Sequence, residues 1–188
     1  PVQTEARKLV VEANVPLDAF VKTWHMDARL SPGYYNADLL TEILGGGAAS
    51  RLYQTLVKEK QYFSSIDCYH FGSLDAGLVA VDGKLVKGVS MDTAVKAVDE
   101  EIEKLKASKI EAKELQKVIN RTESVIAFED MSVMSRASSI ALYELLGDAS
   151  MMNTEFQKYQ AITIDSIHDY ANKIFANTNS NTLLYHAQ

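Results

Sequence analysis

Cysteine is nearly missing from this 188-residue chain, which has Cys68 alone. One thiol cannot close an internal disulfide, nor can it build a cysteine-based zinc site. Proline and glycine are sparse, at 3 and 9 residues, which excludes a disordered or fibrous chain. Long apolar runs are absent too. None approaches the roughly 20 residues that span a bilayer, and no basic segment followed by an apolar one opens the chain. A membrane is therefore not among the expected partners. Positive charge is also in deficit, with 19 Lys and Arg against 25 Asp and Glu and a formal charge of -6. A phosphate backbone would be repelled and no Lys/Arg cluster offsets this, so nucleic acid is excluded as a partner. The chain begins at Pro1 rather than at a methionine and is read as a piece of something longer.

What is present is the make-up of a globular domain, 47% hydrophobic and 23% charged. Residues 1–188 are read as a single domain with its own core. Leu9-Val10-Val11 within Arg7 to Glu12, and Phe20, Val21, Thr23 and Trp24 within Ala19 to Met26, favour strands. Ser31-Pro32-Gly33 is expected to break the chain before a helix from Tyr34 to Leu44, which Gly45-Gly46-Gly47 stops. A second helix is predicted over Ala48 to Lys60, with Leu52, Leu56 and Val57 at helical spacing. Phe63 to Phe71 alternates as a strand. Gly77 to Val81 reads as another, with Asp82-Gly83 as a hairpin turn into Lys84-Leu85-Val86. Helical periodicity then dominates. One face runs Ala94, Val95, Val98, Ile102 and Leu105; another runs Leu115, Val118, Ile119, Thr122 and Ile126. Further helices are predicted over Ser132 to Leu146, Met151 to Gln160 and Thr163 to Phe175, before a strand over Thr182 to Tyr185. Strands at both ends with helices between them predict an α+β, two-layer domain with a mostly antiparallel sheet packed against a helical layer.

Catalytic motifs are scarce. His25, His70, His168 and His186 show no His-x-x-Glu-His spacing or its reverse, and are read as ordinary surface or core histidines. No Gly-x-Ser-x-Gly elbow occurs, and Cys68 within a strand reads as a small core residue. Gly45-Gly46-Gly47 with Ser50 lies between two helices and lacks the Lys-Ser/Thr of a phosphate loop. The charged run Asp99 to Lys106 is read as a solvated helix face. Met131, Met134, Met151 and Met152 are read as core filler, and Trp24 as a core anchor.

The segment Leu44-Gly-Gly-Gly-Ala-Ala-Ser-Arg-Leu-Tyr-Gln54 closely resembles the Leu-Gly-Gly-Gly-x-x-Ser-Arg-Leu-Phe/Tyr-Gln signature of the C-terminal, non-catalytic domain of the pitrilysin/insulinase family of zinc metallopeptidases. Tyr34-Tyr35-x-x-Asp38-Leu39-Leu40 before it is similar to that domain's approach helix. Asp75-Ala76-Gly77-Leu78, Glu101-Ile102-x-x-Leu105 and Glu114-Leu115-x-Lys117 follow in the family's order. Tyr143-Glu144-Leu145-Leu146-Gly147-Asp148 and Ser180-Asn181-Thr182-Leu183 look like a bacterial branch.

The resemblance implies a clamshell of two similar domains around a closed chamber. The first domain carries His-x-x-Glu-His and the zinc; the second closes the chamber and contacts the substrate backbone. This chain would then bind no metal or other cofactor and supply no catalytic residue. Zinc is expected on a missing N-terminal half, which becomes the expected partner together with the peptide substrate. The family's second domain often adds an arginine and a tyrosine that steady the scissile carbonyl. Counted from Ser50-Arg51-Leu52, those positions hold Val57 and Ser64, which cannot do this work; either a homologous partner subunit supplies the pair, or the assembled protein binds peptides and cleaves them poorly. Gly46, Gly47, Ser50 and Arg51 are the candidate substrate-binding residues. The glycines let a peptide backbone approach, and Arg51 can fix a carboxylate or carbonyl. The competing reading is structural: a chain turn between helices, and a salt bridge for Arg51. Relatives of the family include core subunits of the respiratory cytochrome complex, so a non-proteolytic scaffold or peptide-binding interaction domain is the alternative function.

Overall fold

A computed structural model describes residues 3–72 and 74–188. Its centre is a five-stranded sheet in the order β1-β5-β2-β4-β3, formed by β1 (Arg7–Ala13), β2 (Ala19–Met26), β3 (Phe63–Phe71), β4 (Gly77–Leu85) and β5 (Ser180–Ala187). Among the described residues, only β1 and β5 pair in parallel; the other three pairings are antiparallel. The two-layer α+β prediction holds. Alternation decides which side of each strand is covered. Phe20, Trp24 and Met26 of β2, Ile66 and Cys68 of β3, and Val79, Val81 and Leu85 of β4 are buried. Trp24 anchors this layer edge-on to Phe175, with ring centroids 4.9 Å apart.

The helices are α1 (Pro32–Gly45), α2 (Met91–Ala107), α3 (Ala112–Glu129), α4 (Val133–Leu145), α5 (Glu155–Gln160) and α6 (Ile164–Ile174). Ala94, Val98, Ile102 and Leu105 of α2 face the core, as their spacing predicts. A reciprocal capping box between Thr163 and Ser166 starts α6.

Several expectations need correction. Pro32 and Gly33 do not break the chain; they form the first turn of α1. Ser31 caps it, its side chain accepting from the Gly33 amide, and Pro32 falls where a missing amide costs nothing. The predicted helix over Ala48 to Lys60 begins only at Arg51 and is π-helical over Tyr53–Glu59, with the Lys60 amide donating to the Thr55 carbonyl at 2.9 Å. Asp82-Gly83 is not a turn, because β4 runs straight through it. Gly83 is there for space: a Cβ would lie 2.7 Å from the Phe63 ring and 3.1 Å from Phe20. β5 extends well beyond Thr182 to Tyr185, because both of its edges are paired. Met131 and Met134 are not core filler. They stand 79% and 75% exposed, since the end of α3 and most of α4 rise clear of the body.

Candidate functional site

α1 ends against β3 at Gly45, where a Cβ would run into the Cys68 backbone. That close approach explains the first glycine of the triplet. Gly47 has φ +87°, the left-handed region that glycine enters without penalty. The Gly46 amide donates to the Glu42 carbonyl at 3.0 Å, that of Gly47 to Gly45 at 2.8 Å, and that of Ser50 to Gly47 at 3.0 Å. A tight loop results. It brings Gly46, Gly47, Ser50 and Arg51 together.

One face of α3 clasps this loop. Arg51 sets its guanidinium fork on Glu114, with Nε donating at 2.8 Å and Nη2 at 2.6 Å. Lys117 Nζ reaches the Ala49 carbonyl at 3.4 Å. Arg121 donates to the Gly46 carbonyl and pairs with Glu42 at 2.7 Å. Glu114, Lys117 and Arg121 recur at helical spacing, so a single helix face makes every one of these bonds. The Glu114 hydrogen bond, with its charge against partial burial, raises the Arg51 pKa above its already high value. Ser50 is buried, and among the described residues its Oγ has no hydrogen-bond partner. It lines a cavity of about 60 Å³ together with Glu42, Gly46, Lys117 and Arg121.

The positions that the family resemblance assigns to an arginine and a tyrosine are spent on structure. Val57 packs against the core, and Ser64 donates from its Oγ to the Lys84 carbonyl at 3.1 Å.

A second polar cluster escaped the sequence reading. Arg29 donates from Nη2 to the Tyr143 hydroxyl and to Glu155, both at 3.0 Å, and from Nη1 to Tyr34. Tyr35 donates to the other Glu155 oxygen at 3.0 Å and accepts from Lys158 at 3.0 Å. Tyr159 donates to Asp38 at 2.5 Å. Burial pushes the hydroxyls of Tyr34, Tyr35, Tyr143 and Tyr159 above the ordinary tyrosine value. The available signal was the tyrosines themselves, because a buried phenol needs a polar partner. Arg29 and Glu155 lie too far apart in sequence to be matched by eye.

His70 on β3 and His186 on β5 stand on strands separated by two others in the sheet. His70 sits 3.2 Å from the Tyr34 hydroxyl and 3.6 Å from Asp38, while His186 lies 3.6 Å from Asp18 on a different strand. Among the described residues no group of three or more His, Cys, Asp or Glu is placed to hold a metal ion. Burial pushes the Cys68 thiol up, away from a reactive thiolate. Among the described residues no helix is long and apolar enough to cross a membrane.

The side of the sheet away from the helices is open. Tyr69 and Phe71 are exposed there, their rings stacked edge-on at 5.2 Å. A shallow cleft of about 390 Å³ runs over Leu9, Val21, Thr23 and Leu183.

Comparison with known proteins bears on this geometry. The family model described as "Peptidase M16 inactive domain" matches residues 1–122. The uncharacterized zinc protease YmxG of Bacillus subtilis is 23% identical over 142 residues, covering 75% of this chain and 34% of that protein. A protease from Helicobacter pylori superposes with a TM-score of 0.92 at 22% identity, over 98% of this chain and 45% of its own. The peptidase M16 inactive domain structure from Pseudomonas fluorescens gives a TM-score of 0.84 at 15% identity, over 100% of this chain and 45% of its own. The chain thus spans a third to just under half the length of these proteins. With the model matching well over half of its residues, the chain belongs to the peptidase M16 inactive-domain family.

Proposed function

We propose that this chain is the chamber-wall and lid half of a zinc metalloendopeptidase, closing over a peptide while zinc chemistry proceeds on an N-terminal half outside these 188 residues. The observation that carries this reading is the sheet, which among the described residues has helices on one side only. Its open side offers Tyr69, Phe71, Val21 and Leu183 to a chain lying across it, and aromatic and aliphatic side chains favour an extended peptide. Within this reading, Gly46, Gly47, Ser50 and Arg51 meet a peptide where it passes the β3 edge of the sheet, because their loop packs on Cys68 from the helix side, and Arg51 holds that loop in shape. Arg51 does so through Glu114, an ion pair that a substrate carboxylate would have to compete with.

The reading is tested by producing this chain and the zinc-bearing half separately, then mixing them. Expected is hydrolysis of a quenched fluorescent peptide by the mixture and by neither half alone. Equal hydrolysis by the zinc-bearing half alone, with no change in KM or kcat on mixing, would remove the role.

A second reading is favoured by Val57 and Ser64. With a core-packed valine and a strand-bound serine where an arginine and a tyrosine are expected, the assembled protein is a non-proteolytic scaffold unless a homologous partner subunit supplies the pair. Mixtures that bind peptide but do not cleave it, until a homologous subunit is added, would select this second reading.

A further inference from the structure

We infer that α4 is a docking helix for a second copy of this chain, the two α4 helices lying antiparallel across a twofold axis at Ile140. This goes beyond the chamber role and does not depend on it.

The helix is built inside out. In a surface helix the apolar stripe faces the core and the polar side faces water. In α4, Tyr143 is buried, and the half-buried Ser135 and Ser139 share its row at four-residue spacing. The apolar row Val133, Ala137, Ala141 and Leu145 is exposed, with Val133 at 85% and Leu145 at 69%. Beside it runs a second exposed row of Arg136, Ile140 and Glu144. Helices of this length hold together mainly by packing an apolar stripe, not by propensity. Among the described residues nothing packs on this stripe.

The residues themselves indicate what covers it. Arg136 and Glu144 stand four residues either side of Ile140. In an antiparallel pair centred there, each Arg136 meets Glu144 of the other copy, and both ion pairs form at once. In a parallel pair Arg136 would face Arg136. The patch is thus complementary to itself, as a twofold interface requires. Ala137 and Ala141 leave the low groove into which a neighbouring ridge at the same spacing fits. Among the described residues Arg136 has no carboxylate partner. Glu144 uses Oε2 to accept from the Ala149 amide at 3.3 Å, which leaves its other oxygen available.

Sedimentation equilibrium of the full chain tests this, with circular dichroism confirming that each variant keeps its fold, since every altered side chain is exposed. Expected for the wild type is a concentration-dependent dimer. Ile140→Asp is expected to be monomeric. Arg136→Glu and Glu144→Arg should each weaken self-association about ten-fold or more. The double variant should recover it, and an equimolar mixture of the two single variants should form a heterodimer tighter than either homodimer. A wild type that stays monomeric at every concentration would overturn the inference. So would a dimer indifferent to Ile140→Asp, or charge swaps that neither weaken nor rescue. A monomer that instead binds the zinc-bearing half through Ile140 would also overturn it, by assigning the stripe to a different occupant.

Discussion

Helices α1 and α4 differ by one residue in length but have opposite fates. In α1, nine of fourteen residues are buried, from Tyr34 to Gly45, and the helix lies against β3 so closely that its last glycine has no room for a side chain. In α4, one of thirteen is buried. Both carry apolar side chains at helical spacing. Periodicity reports that a helix has a stripe; whether the same chain supplies the surface that covers it is a matter of tertiary structure. Between the two helices lies the Arg29–Glu155 cluster, which ties Tyr34 and Tyr35 of α1 to Tyr143 of α4. α4 is therefore held at its base and bare along its length.

The largest way to break this arrangement is base. Burial raises the pKa of Tyr34, Tyr35, Tyr143, Tyr159 and Tyr170 in the folded chain. In the unfolded chain these hydroxyls ionise near pH ~10. Folding therefore favours the protonated form, so this stability is complete below pH ~10 and is lost as pH climbs towards the folded values. Melting temperature is expected to hold to about pH 9 and then fall steeply. A Tm unchanged up to pH 11 or so would contradict the cluster's burial.

Next in size is Glu155→Gln. Arg29 would keep its charge in a largely buried position without a carboxylate, a loss of about 4 kcal/mol in urea unfolding. Leu40→Ala, in the wholly buried face of α1, should cost about 3 kcal/mol. Arg51→Ala removes a partly exposed bidentate pair and should cost about 1 kcal/mol. If the loop also meets substrate, the same variant raises KM in the two-half hydrolysis assay; an unchanged KM would leave Arg51 a purely structural role. The smallest change is Leu145→Ala on the bare face of α4, expected within about 0.5 kcal/mol for the monomer. A loss near that of Leu40→Ala would show that the outer face of α4 is covered within the chain, erasing the contrast between the helices.

Much of this architecture was legible in the residues. β2 and β3 fall where their β-branched and alternating side chains place them, and α2 and α6 follow their periodicity and the Thr163 cap. The misreadings share one cause. Pro32, Gly33 and Gly83 have local preferences for turns, but each is used for something non-local or positional: a helix first turn, or clearance for the rings of Phe20 and Phe63. Met131 and Met134 stand in water because exposure depends on what the rest of the fold covers. At the candidate site, Gly46, Gly47, Ser50 and Arg51 were selected as a contiguous motif, and their shared loop follows from that contiguity. The clasp by Glu114, Lys117 and Arg121 was not visible, because it joins segments more than sixty residues apart.

If zinc and the hydrolytic step reside on the other half, as proposed, the metal content of this chain shows it. The chain, stripped with chelator, replenished with zinc and freed of excess, is expected to carry far less than one zinc per molecule by elemental analysis. One tightly held zinc per chain, bound through histidine, would contradict the account.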